Sequence, residues 1–377
     1  MKIAVLGAGV SGIIFAINRK KNFPHDEIIV FEHLDKPLKK ILATGNGKCN
    51  IGNMVALTDK VDEKVEKILK KYDFDYQKHF LDSINIKTKL MGNLSYPISE
   101  SAVTVRNALL KAVEKYQIKI ELEIELFDYK IEGDAIQLIT NKGDYKVDKF
   151  VIATGGKSVP HLGSDGSIIP LLEKQGYLIK DFAPGLCPIY TKENNKILDG
   201  VRVKSNVKIM DNKDIRFDED GELLFRKHGL SGIVIFNASR IIAKNPNKPY
   251  TICVDYLPNV SEEELTEFLK NNDEETLLNS YLHPLLAKSI LEKSSKKQSV
   301  IQNIKNATFI YDKSYDFESS QISVGGINFH QLNDDLSSKN ENNVYFIGEI
   351  LDYDGPCGGY NLMWAIASGL HVSDKIK

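Results

Sequence analysis

Three glycine-rich segments carry the chemistry legible in this chain. The first is Gly7-Ala8-Gly9-Val10-Ser11-Gly12, directly after the apolar run Ile3-Ala4-Val5-Leu6. The first glycine of such a pattern permits a tight turn. The second lets a pyrophosphate approach the backbone, and the third lets a helix pack on a strand. The helix opening there offers unpaired N–H groups and a partial positive charge to an anion. Glu32 stands 20 residues beyond Gly12, where a carboxylate accepts hydrogen bonds from ribose hydroxyls. A lone fingerprint is a weak signal. This one follows a strand, opens a helix and has its acidic residue in place, so it predicts a bound dinucleotide.

The second segment is Val151-Ile152-Ala153-Thr154-Gly155-Gly156, an apolar strand that ends in a glycine turn. The third is Gly348-Glu349, followed by Gly358-Gly359-Tyr360-Asn361 at the start of a last helix. A nicotinamide-only dehydrogenase requires the first segment and not the third. FAD is long enough to run from the first strand to the last helix, so the combination predicts a flavoprotein. In that reading Glu349 holds the ribityl chain. The last helix aims its positive end at the pyrimidine edge of the flavin, which gains negative charge on reduction. Gly156-Lys157-Ser158 is not a phosphate-binding P-loop, because Val151 stands where that motif needs its first glycine.

The remaining composition bounds the class. The 377 residues are 42% hydrophobic and 27% charged, with a net charge of −2, as in an ordinary soluble globular chain of two or three domains. Four cysteines, at 49, 187, 253 and 357, form no CxxC pair, which argues against a disulfide framework and fits a reducing cytoplasm. No His or carboxylate cluster predicts a metal site. No leader-like start and no apolar run of about 18 residues predicts export or a membrane span.

The periodicity places strands at 2–6, 28–32 and 151–156, and helices at 10–20, 61–82 and 101–116. Residues 118–150 alternate as strands, with hairpin turns at Gly133 and Lys142-Gly143. The loop from Lys39 to Asn50 is too rich in Gly and Asn for a helix or a strand. Residues 188–256 read as short strands. Ser261-Glu262-Glu263-Glu264 is a capping box that opens a helical, Lys-rich insert. The expected fold is α/β: a discontinuous Rossmann-like FAD-binding domain (1–184 and 322–377), an inserted β-barrel-like domain (185–257 and 307–321) and a small helical subdomain (258–306).

The stretch Ile41-Leu42-Ala43-Thr44-Gly45-Asn46-Gly47-Lys48-Cys49-Asn50, with Gly348-Glu349-Ile350-Leu351-Asp352 and Gly358-Gly359-Tyr360-Asn361, resembles the BaiN/RdsA family of FAD-dependent oxidoreductases. Tyr96-Pro97, Ala153 to Ser158, Gly221 to Phe225, Gly229 to Gly232 and Val324-Gly325-Gly326 extend the likeness over nearly the whole chain. The resemblance implies the three-part architecture above. It also implies reduction of a carbon–carbon double bond, in a uridine of large-subunit ribosomal RNA or in a small steroid-like enone. The chemistry is common to both substrates: a hydride goes to one carbon and an acid protonates the other. A non-catalytic, FAD-stabilised binding protein is the remaining alternative.

The cofactor-binding set expected on this basis is Gly7, Gly9, Val10, Ser11, Gly12, Glu32, Lys40, Thr44, Gly45, Asn46, Gly47, Lys48, Asn50, Leu126, Ala153, Thr154, Gly155, Gly348, Glu349, Gly359, Tyr360, Asn361 and Leu362. Cys49 and Cys357 are candidate proton donors, each with packing as the rival role. Lys40 and Lys48 are candidates to balance the charge of reduced flavin. No second GxGxxG is present, so NADH or NADPH is expected as a transient reductant rather than a resident. Lys288, Lys293, Lys296, Lys297 and Lys305, with Lys270 upstream, form a candidate nucleic-acid patch, with a solvated helix face as the alternative.

Overall fold

In a computed structural model describing residues 1–294 and 299–377, five short apolar runs form one parallel sheet. The order across it is Val344–Phe346, Lys149–Ile152, Lys2–Leu6, Glu27–Phe31 and Lys119–Glu121. Ala4 lies between Phe150 and Ile29, and Val151 pairs with Tyr345. Ile3, Ala4, Val5, Val30, Phe150 and Val151 are buried, as parallel strands covered on both faces require. This sheet belongs to the first of two units, Met1–Phe182 with Gln321–Lys377.

The two ends of the chain meet beside this sheet. The first helix, Val10–Asn22, packs on the last, Tyr360–Lys375, with Gly369 against Ser11 and Phe15. A Cβ on Gly369 would stand 2.7 Å from Ser11 O. Arg19, fully buried on the first helix, donates to Ser373 O and Ile376 O at 3.0 and 2.8 Å, closing the end of the last helix. Its charge is met by Asp26 at 2.6 Å, and Asp26 also holds the Met1 amino group at 2.9 Å.

The second unit, Ala183–Ser320, contains a closed antiparallel barrel. Its strands run Ile189–Thr191, Gly229–Ser231, Asp214–Arg226, Arg202–Asp211, Tyr250–Asp255 and Ala307–Ser314, the last pairing with the first. Among the described residues, four helices, Glu262–Leu269, Glu274–Tyr281, Pro284–Ser294 and Val300–Lys305, fall between the last two barrel strands. Lys305 ties them down through Asp255 at 2.6 Å and the carbonyls of Leu257 and Val260.

Several elements differ from the sequence expectation. Residues 61–82 form two helices, Glu63–Lys71 and Phe74–Ser83, because Asp73 caps the second by accepting from Tyr76 N. The apolar run after Gly232 is a helix, Ile233–Ala243, not a strand. Short apolar runs fit either period, and packing of Val234 against Gly221, where a Cβ would come within 2.8 Å, selects the helix. Lys40–Gly47 forms 3₁₀ turns rather than plain loop, broken where Gly45 and Asn46 take φ of 56° and 54°. In the insert Ser261 accepts from Glu264 N as expected, while the Glu264 carboxylate accepts from Tyr281 Oη.

Candidate functional site

The parallel strands end at a cleft of about 420 Å³ in the first unit. Gly7, Gly9, Val10 and Ser11 form one wall, and Glu32, Leu126 and Phe127 form one end. Ala153, Thr154 and Gly155 lie along the floor. Glu349, Asn361 and Leu362 bring the C-terminal segment to the same space, with Lys40 and Thr44 beside them. A cleft at the carboxyl ends of parallel strands is where open α/β sheets bind ligands.

The glycine turn is shaped by what surrounds it. Gly7 has φ +107°, and a Cβ there would collide with Ala153 O at 2.4 Å. A Cβ on Gly12 would meet Gly7 O at 2.2 Å, so helix and turn could not close. Gly9 differs: it lines the cleft, and a Cβ there would meet nothing within 4 Å. That position keeps space open at the N-terminus of the first helix, whose leading N–H groups have no intrahelical partner.

Glu32 is held rigidly. Ala8 N donates to Oε2 and Leu34 N to Oε1, each at 3.0 Å, and His33 Nδ1 lies 3.3 Å from Oε1. Its burial and fixed orientation suit hydroxyl recognition.

Glu349 anchors a network that joins four distant segments. Its Oε2 accepts from Lys40 Nζ at 2.6 Å. Its Oε1 accepts from Ser323 N at 2.8 Å and from Ser158 Oγ at 3.3 Å. Lys40 also reaches Ser158 Oγ at 2.5 Å and Ser164 Oγ at 3.4 Å. Ser158 and Ser164 were not singled out in the sequence as site residues, although Ser158 belongs to the Gly156-Lys157-Ser158 run. Instead of cradling phosphate, that run donates Lys157 N and Ser158 N to Ser323 Oγ at 2.7 and 2.9 Å.

The last helix is seated by two of its side chains on the backbone of Gly348. Trp364 Nε1 donates to Gly348 O at 3.1 Å and Gly348 N donates to Ser368 Oγ at 3.0 Å. Asn361 folds back on Gly355, accepting its N–H and donating to its carbonyl, both at 2.8 Å. The loop ahead of the helix rests on the short strand Gly52–Asn53: Gly359 has φ +94°, and a Cβ there would stand 2.8 Å from Gly52 Cα. The amide of Asn50, oriented to satisfy its neighbours, donates to Gly52 O and Ser95 O at 2.9 and 3.2 Å.

Some expected residues lie off the cleft. Gly12, Gly348, Gly359 and Tyr360 support its walls without lining it. Gly45, Asn46, Gly47 and Lys48 are exposed, and Lys48 pairs with Glu100 at 3.1 Å on the surface. This corrects the expectation that Lys48 faces the flavin; of the two lysines, Lys40 is the one in the cleft. Cys49 is fully buried behind the loop, and burial pushes its thiol up to about 11. It packs as a small apolar group, as does buried Cys187. Cys357 is half-buried and also outside the cleft lining. Of the candidate nucleic-acid lysines, Lys288 and Lys293 are exposed, and Lys293 lies 5.7 Å from the Phe309 ring centre. Lys270 pairs with Glu267 on an exposed helix face, and Lys305 is mostly buried against Asp255. Lys296 and Lys297 lie outside the described residues. No helix among the described residues is long and apolar enough to cross a membrane.

Comparison with known proteins agrees with this geometry. The chain is 27% identical over 396 residues to the 3-dehydro-bile acid delta(4,6)-reductase of Clostridium scindens, covering 98% of this chain and 97% of the relative. It is 26% identical over 394 residues to the ribosomal RNA dihydrouridine synthase of Haemophilus influenzae, covering 97% and 95%. Among solved structures it shares a fold with the 3-ketosteroid-delta4-(5alpha)-dehydrogenase of Rhodococcus jostii RHA1, at TM-score 0.51 and 10% identity over 98% of this chain and 96% of that one. The resemblance carried by the Thr44–Asn50 loop and the Gly358–Asn361 segment is thereby borne out. The model of the HI0933-like protein Rossmann domain matches residues 1–375, and the chain belongs to that family.

Proposed function

We propose that this oxidoreductase holds FAD along the cleft and saturates a carbon–carbon double bond, with a uridine of large-subunit ribosomal RNA as the preferred substrate. One observation carries the cofactor reading. Gly9 and Ser11 at the first helix, Glu32 at the second strand, and Glu349 and Asn361 at the far end of the chain all line a single cleft. A dinucleotide without a flavin would not need the last two.

The residues present fit that group. Gly9 leaves open the space beside the helix N-terminus. Thr154 Oγ1, in the cleft floor, is buried with no partner and is available to a ligand. In this reading the first helix binds the pyrophosphate through its leading N–H groups. Glu32 accepts from ribose hydroxyls, and Glu349, oriented by Ser323 N and Lys40, accepts from the ribityl chain. The last helix, whose first turn brings Asn361 to the cleft, would offer its positive end to the charge of reduced flavin. Bound FAD would supply the hydride chemistry, with NADH or NADPH as its transient reductant in the cytoplasm.

The substrate reading is supported by two relatives named as ribosomal RNA dihydrouridine synthases, since dihydrouridine is uridine with its pyrimidine double bond reduced. The bile-acid reductase, which matches over 98% of this chain, supports a small conjugated enone as the second reading. The two are separated by incubating the flavin-loaded protein with NADPH and either large-subunit ribosomal RNA or an enone. The first reading expects dihydrouridine by nucleoside mass spectrometry. Unchanged RNA together with enone-stimulated NADPH oxidation favours the second. Slow flavin reduction and reoxidation only by oxygen, with either compound, would leave the non-catalytic alternative.

A further inference from the structure

A second cavity, of about 640 Å³, opens at the opposite edge of the same sheet. Lys149 begins its strand and Tyr345 lies beside it, so this cavity is at the amino ends of the strands, whereas the cleft is at their carboxyl ends. Six lysines line it: Lys64, Lys67, Lys71, Lys149, Lys375 and Lys377. Lys64, Lys67 and Lys71 follow the i, i+3, i+7 spacing of one helix face, within Glu63–Lys71. Seven residues of helix rise by about 10 Å, more than a single phosphate covers.

Acidic groups offset only part of this charge: Asp334 acts on Lys67, and Asp148, Asp134 and Asp335 act on Lys149. Lys67 pairs with Glu63 at 2.6 Å, but Lys64, Lys149, Lys375 and Lys377 make no ion pair among the described residues. Lys149 is held by a neutral group, donating to Asn343 Oδ1 at 2.7 Å, and burial pushes its ammonium downward. Two aspartates also line the cavity. Asp335 is engaged by Ser337, accepting from its N–H at 3.0 Å and its hydroxyl at 2.6 Å. Asp334 accepts from His371 Nε2 through its backbone carbonyl at 2.8 Å, and its carboxylate remains a negative charge acting on Lys67. A carbonyl only accepts, so Nε2 carries the proton and Nδ1 faces its surroundings as a lone pair. His371 is 6% exposed, lines the cavity, and its Nδ1 has no partner. An orphaned buried acceptor of this kind is met by a donor such as a ribose 2′-hydroxyl, while the lysines beside it meet phosphate oxygens.

We propose that this cavity binds a linear run of phosphates, the sugar–phosphate backbone of an RNA strand. The lysines and the cavity carry the proposal; it rests on the RNA reading of the cleft only for the name of the anion. Docking here would hold a polymer on the protein while a different part of it is presented elsewhere, and it would contribute affinity without sequence preference.

The test compares the flavin-loaded protein with the triple variant Lys64→Ala/Lys71→Ala/Lys375→Ala and with Lys288→Ala/Lys293→Ala in the helical insert. Binding of a fluorescent single-stranded RNA is measured by anisotropy over a range of salt, with no nicotinamide present. The cavity variant is expected to bind at least about tenfold more weakly, with a salt dependence shallower by about 2 in log–log slope, since each phosphate contact contributes about 0.7. The insert variant is expected to bind as the parent does. Equal affinity and slope for cavity variant and parent would overturn the proposal, as would loss confined to the insert variant. Tripolyphosphate that binds by calorimetry while RNA does not would overturn the RNA assignment in favour of a free polyphosphate. RNA bound through the cavity but never reduced would instead sink the substrate reading and leave this inference standing.

Discussion

Lys40 Nζ lies 2.6 Å from Glu349 Oε2, joining residues 309 positions apart inside one cleft. The contact fixes the carboxylate that would hold the ribityl chain, with Ser323 N and Ser158 Oγ on its other oxygen. Both charged partners are about a quarter exposed, so solvent screening reduces their coupling to about 1 kcal/mol. Lys40→Met is expected to weaken FAD binding by about fivefold, read by flavin fluorescence quenching. Glu349→Gln should do likewise, and the double variant should lose less than the two losses combined. Additive losses would show that the pair does not act as a unit.

The contact between Gly369 and Ser11 O sets the approach of the first and last helices. Gly369→Ala puts a methyl group 2.7 Å from that carbonyl, and the helices must separate. Overpacking of this kind costs about 1–3 kcal/mol. A lower thermal midpoint and weaker flavin retention are expected together, by differential scanning fluorimetry followed by filtration. A variant with unchanged midpoint would mean that the helices accommodate the methyl freely.

Asp26 makes this junction pH-dependent. Burial pushes its carboxyl upward, but the hydrogen bonds and charges of the Met1 amino group and Arg19 outweigh burial and hold it below 3.8. A depressed carboxylate contributes stability that is present above its unfolded value and is lost as pH falls through the lowered one. Unfolding midpoints of the parent should therefore drop steeply below about pH 4. Asp26→Asn should be less stable at pH 7 by about 3 kcal/mol, because Arg19 is left buried without its partner, and should show a flatter acid limb. Equal acid limbs would show that Asp26 is not the titrating group.

Cys49 is a residue type that suggests chemistry at a position closed to solvent and outside the cleft lining. With the thiol at about 11 and no exposure, roughly one molecule in a thousand carries a thiolate at pH 8. Iodoacetamide should leave Cys49 unmodified in the folded protein and alkylate it on denaturation, by peptide mass mapping. Cys49→Ser should retain reductase turnover within about threefold, as expected of a packing residue rather than a proton donor.

Much of the cofactor domain was legible because its constraints are local. Gly7, Gly9, Gly12 and Glu32 act within one strand–helix–strand unit, where spacing along the chain nearly determines spacing in the fold. The hairpins at Gly133 and Gly143 were legible for the same reason, as both glycines have positive φ. The Lys40–Glu349 pair was not, since nothing in spacing announces a contact between residues so far apart. Ser158, Ser164 and Ser323 were hidden because serine is common and their role depends on which charged group the fold brings near. The helix Ile233–Ala243 has the sequence of a strand at its start, where β-branched Ile233, Val234 and Ile235 precede Phe236, and only its tertiary partner decides the period. The Lys64–Lys71 face was passed over because lysines on an amphipathic helix are ordinarily solvated. Their meaning depends on Lys149 and Lys375, which the fold brings alongside.

The most direct test of the central claim is the flavin content of the purified protein, with and without added FAD. A yellow protein carrying close to one FAD per chain is expected, and Glu32→Ala should lose the cofactor on gel filtration while keeping its fold by circular dichroism. A colourless parent that neither gains flavin absorbance nor quenches FAD fluorescence on titration would contradict the account.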